Sequence, residues 1–224
     1  YKITIKSNAD IYSMLTRTRG IRKTLFLDGF VRIGNFLNTL EIRDILMQND
    51  ENGLNPIFET IDDNGNTSPG TKLRLQKPFT SSDIESRLCS ILHTIHDGDG
   101  EYKCTSGHLL CAKANCPVQS WHRDFSTDLM EKINEHKACG AVYGALIALN
   151  PRPFSIIPKG LEDAYHNQNE FMIQLSPGEL VLFEGDRVHR GECTERESYA
   201  IHFYCVHSDV KLKNDDYDQT ENVH

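Results

Sequence analysis

The sequence predicts a mainly β protein in which helices pack outside a core of short strands. Two amphipathic helical patterns lie within the first hundred residues, whereas the chain from Tyr102 onward is rich in apolar runs of strand length. Gly, Pro and Asp turn signals bound these runs, which is typical of buried strands. We expect eight core strands, near residues 106–113, 118–124, 140–149, 153–157, 170–175, 179–184, 188–193 and 198–206.

The length and composition suit a single domain. The chain has 224 residues, of which 38% are hydrophobic and 25% are charged, and β domains of this length often form one unit. We expect one domain over residues 1–207, in which residues 1–100 support a core over about 103–207, and a polar tail over 208–224. No apolar stretch approaches the roughly 20 residues that span a bilayer, so a membrane protein is not expected.

Charge and cysteine content restrict the partners and the compartment. The net charge of −8 weighs against tight non-specific binding of nucleic acid, which depends on neutralising phosphates. The seven cysteines are odd in number and scattered, which fits a reducing compartment better than a disulfide framework. We expect an intracellular protein, in the cytoplasm more than in the nucleus.

The N-terminal segments are expected to support the core. Residues 1–6 alternate as in an edge strand, residues 10–19 fit a helix, and the apolar run 25–33 predicts a strand. Asn38 and Glu41 have the spacing of a capping box, which predicts that a helix begins there. None of these segments carries a pattern that indicates chemistry.

Two segments outside the expected core strands are candidates for controlling access. Residues 48–72 are rich in Asn, Asp, Gly and Pro, which indicates either a disordered insert or an active-site lid. We expect residues 50–70 to be poorly ordered without substrate. Ser82 and Glu85 then form a second capping box ahead of an amphipathic helix. Residues 126–138 contain another helical pattern, and they are expected to share in setting specificity.

A His-x-Asp triplet and a distant histidine form the candidate metal site. If His122 and Asp124 lie on a strand, their side chains point to one face, because strand side chains alternate. An isolated triplet is weak support, since the chain has 10 His and 32 acidic residues. His189 strengthens it, because it follows an apolar run framed by Pro-Gly and Gly-Asp turns. Two imidazoles and one carboxylate on one side of a metal suit non-haem Fe(II).

These residues resemble the 2-oxoglutarate- and Fe(II)-dependent oxygenases, most closely the branch with phytanoyl-CoA hydroxylase-like and prolyl hydroxylase-like members. The resemblance covers roughly residues 25–207. It implies a double-stranded β-helix core of jelly-roll or cupin-like type, with His122, Asp124 and His189 as the iron ligands and catalytic centre. It also implies that 2-oxoglutarate and O2 are cosubstrates in the hydroxylation of a substrate.

The resemblance extends to the cosubstrate contacts. Arg196 and Ser198 resemble the Arg-x-Ser with which many members hold the far carboxylate of 2-oxoglutarate. The sequence departs from the family here, because the position about ten residues after the second histidine is not basic. Tyr143 is a further candidate for a hydrogen bond to that carboxylate, with simple packing as its alternative. Lys159 is a weaker candidate for the basic partner.

Three functional classes stay open at this point. An active oxygenase is favoured over a cupin-type metalloprotein that does not use 2-oxoglutarate, and over a non-catalytic binding module of the same fold. A zinc site built from Cys104, His108, Cys111 and Cys116 is disfavoured, because their spacing matches no standard zinc motif. The substrate is not identified by the sequence, although a small molecule or a protein side chain is favoured over nucleic acid.

Overall fold

The computed structural model describes residues 2–4, 18–48, 52–57, 73–98, 100–136, 142–159, 172–210 and 221–222. The helices in these ranges are α1 (Thr18–Asp28), α2 (Thr39–Gln48), α3 (Ser82–Ile95) and α4 (Thr127–His136). The strands are β1 (Lys2–Thr4), β2 (Phe30–Gly34), β3 (Asn55–Pro56), β4 (Arg74–Pro78), β5 (Tyr102–Ala112), β6 (His122–Arg123), β7 (Val142–Ala148), β8 (Arg152–Ile156), β9 (Met172–Leu175), β10 (Leu180–Glu184), β11 (His189–Gly191), β12 (Ser198–His207) and β13 (Glu221–Asn222). No helix within these ranges is long and apolar enough to cross a membrane.

The strands form two sheets that together make a double-stranded β-helix. The large sheet has the order β1-β2-β10-β7-β12-β5-β4-β3, and the small sheet has the order β13-β6-β11-β8-β9. From β6 to β12 the chain passes repeatedly between the two sheets, and the paired strands in this region are antiparallel. The expected mainly β core with flanking helices is therefore confirmed.

The large sheet is buried on both faces, as β7 illustrates. Tyr143, Ala145 and Ile147 pack into the cluster that contains the buried faces of α1 and α3. Leu146 and Ala148 pack instead against residues of the small sheet. Because side chains alternate along a strand, β7 contributes buried side chains to two core layers, one on each face of the large sheet. The faces that the large and small sheets turn toward each other are called the inner faces below.

Side-chain caps fix the starts of two of the supporting helices. The Asn38 side chain accepts from the Leu40 amide at 2.9 Å, and Glu41 accepts from the Asn38 amide at 2.7 Å, so the capping box predicted there is confirmed. The box on α3 begins one residue earlier than predicted, because Ser81 is the N-cap and its amide donates to Glu85 at 3.1 Å.

The structure corrects the prediction of a strand over residues 25–33. Residues 25–28 belong to α1, and the strand is Phe30–Gly34. Gly29 separates the two elements at φ +73, a left-handed conformation that glycine adopts without a Cβ penalty. The apolar residues before Gly29 had suggested a strand because a short buried helix and a strand can carry the same apolar run.

Several expectations concern segments that the structure describes only in part; of the helix expected over residues 10–19, residues 10–17 lie outside the described residues. Within the expected loop 48–72, Asn55–Pro56 forms β3 against β4, while residues 49–51 and 58–72 lie outside the described residues. Most of the segment 50–70 therefore lies outside the described residues, and the structure does not test the lid hypothesis. In the expected polar tail, Glu221–Asn222 pairs with β6 as an added edge strand.

Candidate metal centre

The three predicted ligands converge where two strands of the small sheet pair. His122 lies on β6 directly opposite His189 of β11, and Asp124 follows β6 two residues after His122. One ligand atom from each of the three residues lies within 4.8 Å of the others. The His189 Nε2 is 3.5 Å from Asp124 Oδ1. No other such group of three metal-binding side chains occurs among the described residues.

Both imidazoles are oriented by backbone carbonyls. The Nδ1 atoms of His122 and His189 lie 2.9 Å from the carbonyl oxygens of Ser120 and Arg187, respectively. A carbonyl oxygen can only accept, so each neutral ring carries its hydrogen on Nδ1 and keeps the Nε2 lone pair for a metal. The strand geometry therefore sets both the direction and the tautomer of these two ligands.

The site is shielded from water on the His189 side. His189 is 6% exposed and Asp124 is 7% exposed. The rings of Phe183 and Phe154 lie 4.8 Å and 5.5 Å from the His189 ring, centroid to centroid. Burial lowers the pKa of His189 to about 4, so the imidazole is neutral and able to bind a metal at pH 7.

Arg152 is a buried cation that the sequence analysis did not select. It is the first residue of β8 and is 6% exposed. It lies two residues before Phe154, so its side chain is on the same inner face of the strand. In the part of the chain that the structure describes, its Nε and Nη1 have no hydrogen-bond partner. Burial, and then the nearby Arg74 charge, lower the pKa of Arg152 to about 10. A buried cation with unsatisfied donors is costly unless a ligand supplies acceptors.

His202 is a second inner-face residue that the sequence analysis left out of the site. It lies on β12, with 14% of its side chain exposed, and its Nε2 is 3.6 Å from Asp124 Oδ2. Burial, and then the neighbouring His189, lower the pKa of His202 to about 3. Strand alternation could have indicated it, since the same parity places Ala200 and Tyr204 beside it on the inner face.

Arg74 and Gln119 hold together the strands that carry the histidine ligands. The Arg74 Nη2 donates to the carbonyl oxygens of Pro117 at 2.6 Å and Gly191 at 3.1 Å. Gln119 forms two hydrogen bonds with Gly191. Its backbone N–H donates to the Gly191 carbonyl oxygen at 2.9 Å, and its side-chain Oε1 accepts from the Gly191 backbone N–H at 2.8 Å. The segment before His122 is thereby fixed to the strand that follows His189.

Comparison with known proteins finds matches in structure but not in sequence. No protein-family model and no curated protein matches the chain. The non-haem, α-ketoglutarate-dependent epimerase SnoN from nogalamycin biosynthesis matches with a TM-score of 0.61 and 13% identity, over 86% of this chain and 84% of that one. A prolyl-4-hydroxylase of Pseudomonas putida matches with a TM-score of 0.59 and 15% identity, over 85% and 98%. HygX from Streptomyces hygroscopicus, with nickel, 2-oxoglutarate and hygromycin B bound, matches with a TM-score of 0.60 and 13% identity, over 86% and 88%.

The chain has the fold of the 2-oxoglutarate- and Fe(II)-dependent oxygenases. In this oxygenase fold, His122 and His189 lie on the small sheet, Asp124 directly follows β6, and the His189 ring packs against Phe183 of the large sheet. The sequence-based expectation of a jelly-roll core is confirmed at the level of the fold.

The residues predicted to bind the cosubstrate are scattered. Arg196 is exposed in the turn between β11 and β12, whereas Ser198 is buried at the start of β12 with no hydrogen-bond partner for its Oγ among the described residues. Tyr143 lies on the helix-facing side of the large sheet, where its hydroxyl is 2.9 Å from His96 Nε2. That placement does not fit the predicted hydrogen bond to 2-oxoglutarate. Lys159 forms an ion pair with Glu184 at 3.1 Å.

The four residues of the disfavoured zinc site do not converge on one point. Cys104 instead faces Cys205, with 3.4 Å between the two sulfur atoms. The cause is the strand itself, since Cys104, His108 and Cys111 are spread over the 11 residues of β5. Cys116 lies beyond that strand, in a bridge to Thr194.

Proposed function

We propose that the protein is a non-haem Fe(II) oxygenase that couples oxidative decarboxylation of 2-oxoglutarate to hydroxylation of a substrate. The observation that carries the proposal is the convergence of His122, Asp124 and His189 in a fold whose solved relatives include α-ketoglutarate-dependent proteins. The donor set fits the metal, because two neutral imidazoles and one carboxylate on one side suit Fe(II) and leave positions for a cosubstrate and O2.

Arg152, rather than Arg196, is our proposed partner for the far carboxylate of 2-oxoglutarate. A dicarboxylate drawn between two sheets leaves its distal charge away from water, where an unpaired charge is costly. The unsatisfied Nε and Nη1 of Arg152 can donate to that carboxylate, and a guanidinium can grip both of its oxygens. The buried Ser198 hydroxyl, which also lacks a partner among the described residues, is proposed as a further donor.

The protein's contribution would be geometry and exclusion of water. His122, Asp124 and His189 would hold the iron, and Arg152 with Ser198 would align the cosubstrate between the two sheets. Iron with 2-oxoglutarate and O2 supplies the oxidising power for breaking a C–H bond when they are bound. Phe154 and Phe183 would keep water from the His189 side of the centre.

The substrate is proposed to be a small molecule or a protein side chain. Both classes occur among the structural neighbours: SnoN has been solved with nogalamycin RO, and a Trichoplax adhaerens prolyl hydroxylase with a hypoxia-inducible-factor peptide. The net charge of −8 disfavours a nucleic-acid substrate.

The test is anaerobic titration of the purified protein with Fe(II) and then with 2-oxoglutarate. We expect a weak visible absorption band of the Fe(II)–2-oxoglutarate chelate in the wild type and in His93→Ala, whose exposed imidazole lies outside the site. The band should be absent in His189→Ala. Metal binding without any response to 2-oxoglutarate would overturn the proposal in favour of cupin-type chemistry, and no metal binding would favour a non-catalytic module.

A further inference from the structure

Asp124 lies between two imidazoles, one on each carboxylate oxygen. Its Oδ1 is 3.5 Å from the Nε2 of His189, and its Oδ2 is 3.6 Å from the Nε2 of His202. His189 belongs to the group whose ligand atoms lie within 4.8 Å of one another, whereas His202 does not. The two oxygens of Asp124 therefore face different neighbours, one on the metal side and one on the β12 side.

The His202 ring is held in place by aromatic neighbours. The Tyr204 ring meets it edge-on at 4.7 Å with an interplanar angle of 87°, and the Phe183 ring lies 6.4 Å away with an interplanar angle of 29°. The β12–β5 ladder is irregular between His202 and Tyr204. Such irregularities commonly re-aim side chains beside functional sites. The imidazole is therefore directed at Asp124 by the fold around it.

A carboxylate that binds a metal through one oxygen presents its other oxygen to the protein. In a buried site that second oxygen needs a donor, because an unpaired polar atom is costly at low dielectric. Groups that orient metal ligands in this way typically change metal affinity by about 10- to 100-fold when removed.

We propose that His202 is a positioning residue. Its Nε2, 3.6 Å from Oδ2 of Asp124, would close to hydrogen-bond distance when a metal binds Oδ1, and the Nε2–H would then donate to Oδ2 and keep Oδ1 directed at the metal. The inference rests on the proposed function only in requiring a metal at His122, Asp124 and His189. In this proposal His202 orients Asp124; it neither contacts the cosubstrate nor coordinates the metal itself.

The test compares three variants by calorimetric titration with Mn(II), without 2-oxoglutarate. His202→Leu removes the donor, and we expect Mn(II) affinity to fall by about 10- to 100-fold. His202→Gln retains an N–H at a similar reach, and its affinity should return to within about threefold of the wild type. His108→Leu is the matched control, because His108 pairs with His202 across the strands and shares its inner face. Its affinity should stay within about threefold.

A second measurement distinguishes a change at the metal ligands from a general loss of folding. The visible spectrum of the Co(II)-loaded protein should change in His202→Leu and return in His202→Gln, while thermal melting of the metal-free variants should verify folding. Wild-type Mn(II) affinity in His202→Leu would overturn the inference, as would an equal loss of Mn(II) affinity in His108→Leu. Failure of the wild type itself to bind Mn(II) would instead defeat the proposed function.

Discussion

Replacing Arg152 with methionine should make the free protein more stable and the cosubstrate weaker. The guanidinium is 6% exposed, and its Nε and Nη1 have no acceptor among the described residues. Each unsatisfied buried donor costs about 1–3 kcal/mol. Methionine occupies a similar length without polar hydrogens, so it removes that cost while keeping most of the packing.

The size of both effects follows from the burial of this one side chain. The free energy of unfolding of the metal-free protein should rise by about 2–6 kcal/mol in Arg152→Met, since two unsatisfied donor atoms are removed at about 1–3 kcal/mol each. For a domain of this length, that corresponds to roughly 2–4 °C in melting temperature for each kcal/mol. Truncating one partner of a desolvated charge pair costs about 2–5 kcal/mol, so the affinity for 2-oxoglutarate should fall by roughly thirtyfold to several thousandfold.

The assay is scanning calorimetry of the free protein together with titration of 2-oxoglutarate into the Mn(II)-loaded protein. Arg196→Met is the matched control, because Arg196 is exposed and should change neither quantity appreciably. A lower melting temperature in Arg152→Met with normal 2-oxoglutarate affinity would refute the reasoning and make Arg152 a structural residue. A large loss of affinity in Arg196→Met would restore the sequence-based prediction.

Three further perturbations test the metal centre and its packing. Alanine at His122, Asp124 or His189 should abolish Mn(II) binding in calorimetry with an unchanged circular dichroism spectrum, and normal affinity in any variant would remove that residue from the ligand set. The metal-free protein should lose stability as pH falls from about 6.5 towards 4, because the pKa of His189 is about 4 when folded and near 6.5 when unfolded. In this pH range the unfolded state binds more protons, so His189 lowers the free energy of unfolding by at most about 1.4 kcal/mol for each pH unit. If the melting temperature of His189→Gln falls with pH as steeply as that of the wild type, this assignment is wrong. Gly144→Ala should destabilise by about 1–3 kcal/mol in urea unfolding and weaken Mn(II) binding, because a Cβ there would lie 2.3 Å from the Phe183 ring, which packs on His189; wild-type stability would show that the ring shifts freely.

The candidate ligand set could be predicted from sequence because its signals are local. The His-x-Asp spacing placed His122 and Asp124 close together, although Asp124 lies just after the end of β6, and turn residues on both sides of an apolar run marked the strand before His189. The structure brings these three together as expected, because β6 and β11 pair in the register that sets His122 opposite His189.

The residues proposed for the cosubstrate could not be placed in the same way, because the relevant information is not local. Every residue of β7 is buried, so the sequence gives no sign that Tyr143 faces the helices rather than the small sheet. Arg152 follows a proline and precedes another, a context typical of a loop, and its inner-face position depends on pairing with β9 and β11. Arg196 was selected by its distance from His189 along the chain, and distance along the chain does not report burial.

The carbonyl that orients each histidine ligand comes from two residues earlier in the same segment. Neither His122 nor His189 therefore depends on a side chain elsewhere in the fold for its tautomer. A site built in this way can accept replacement of most surrounding residues over evolutionary time, provided that the local backbone path is kept.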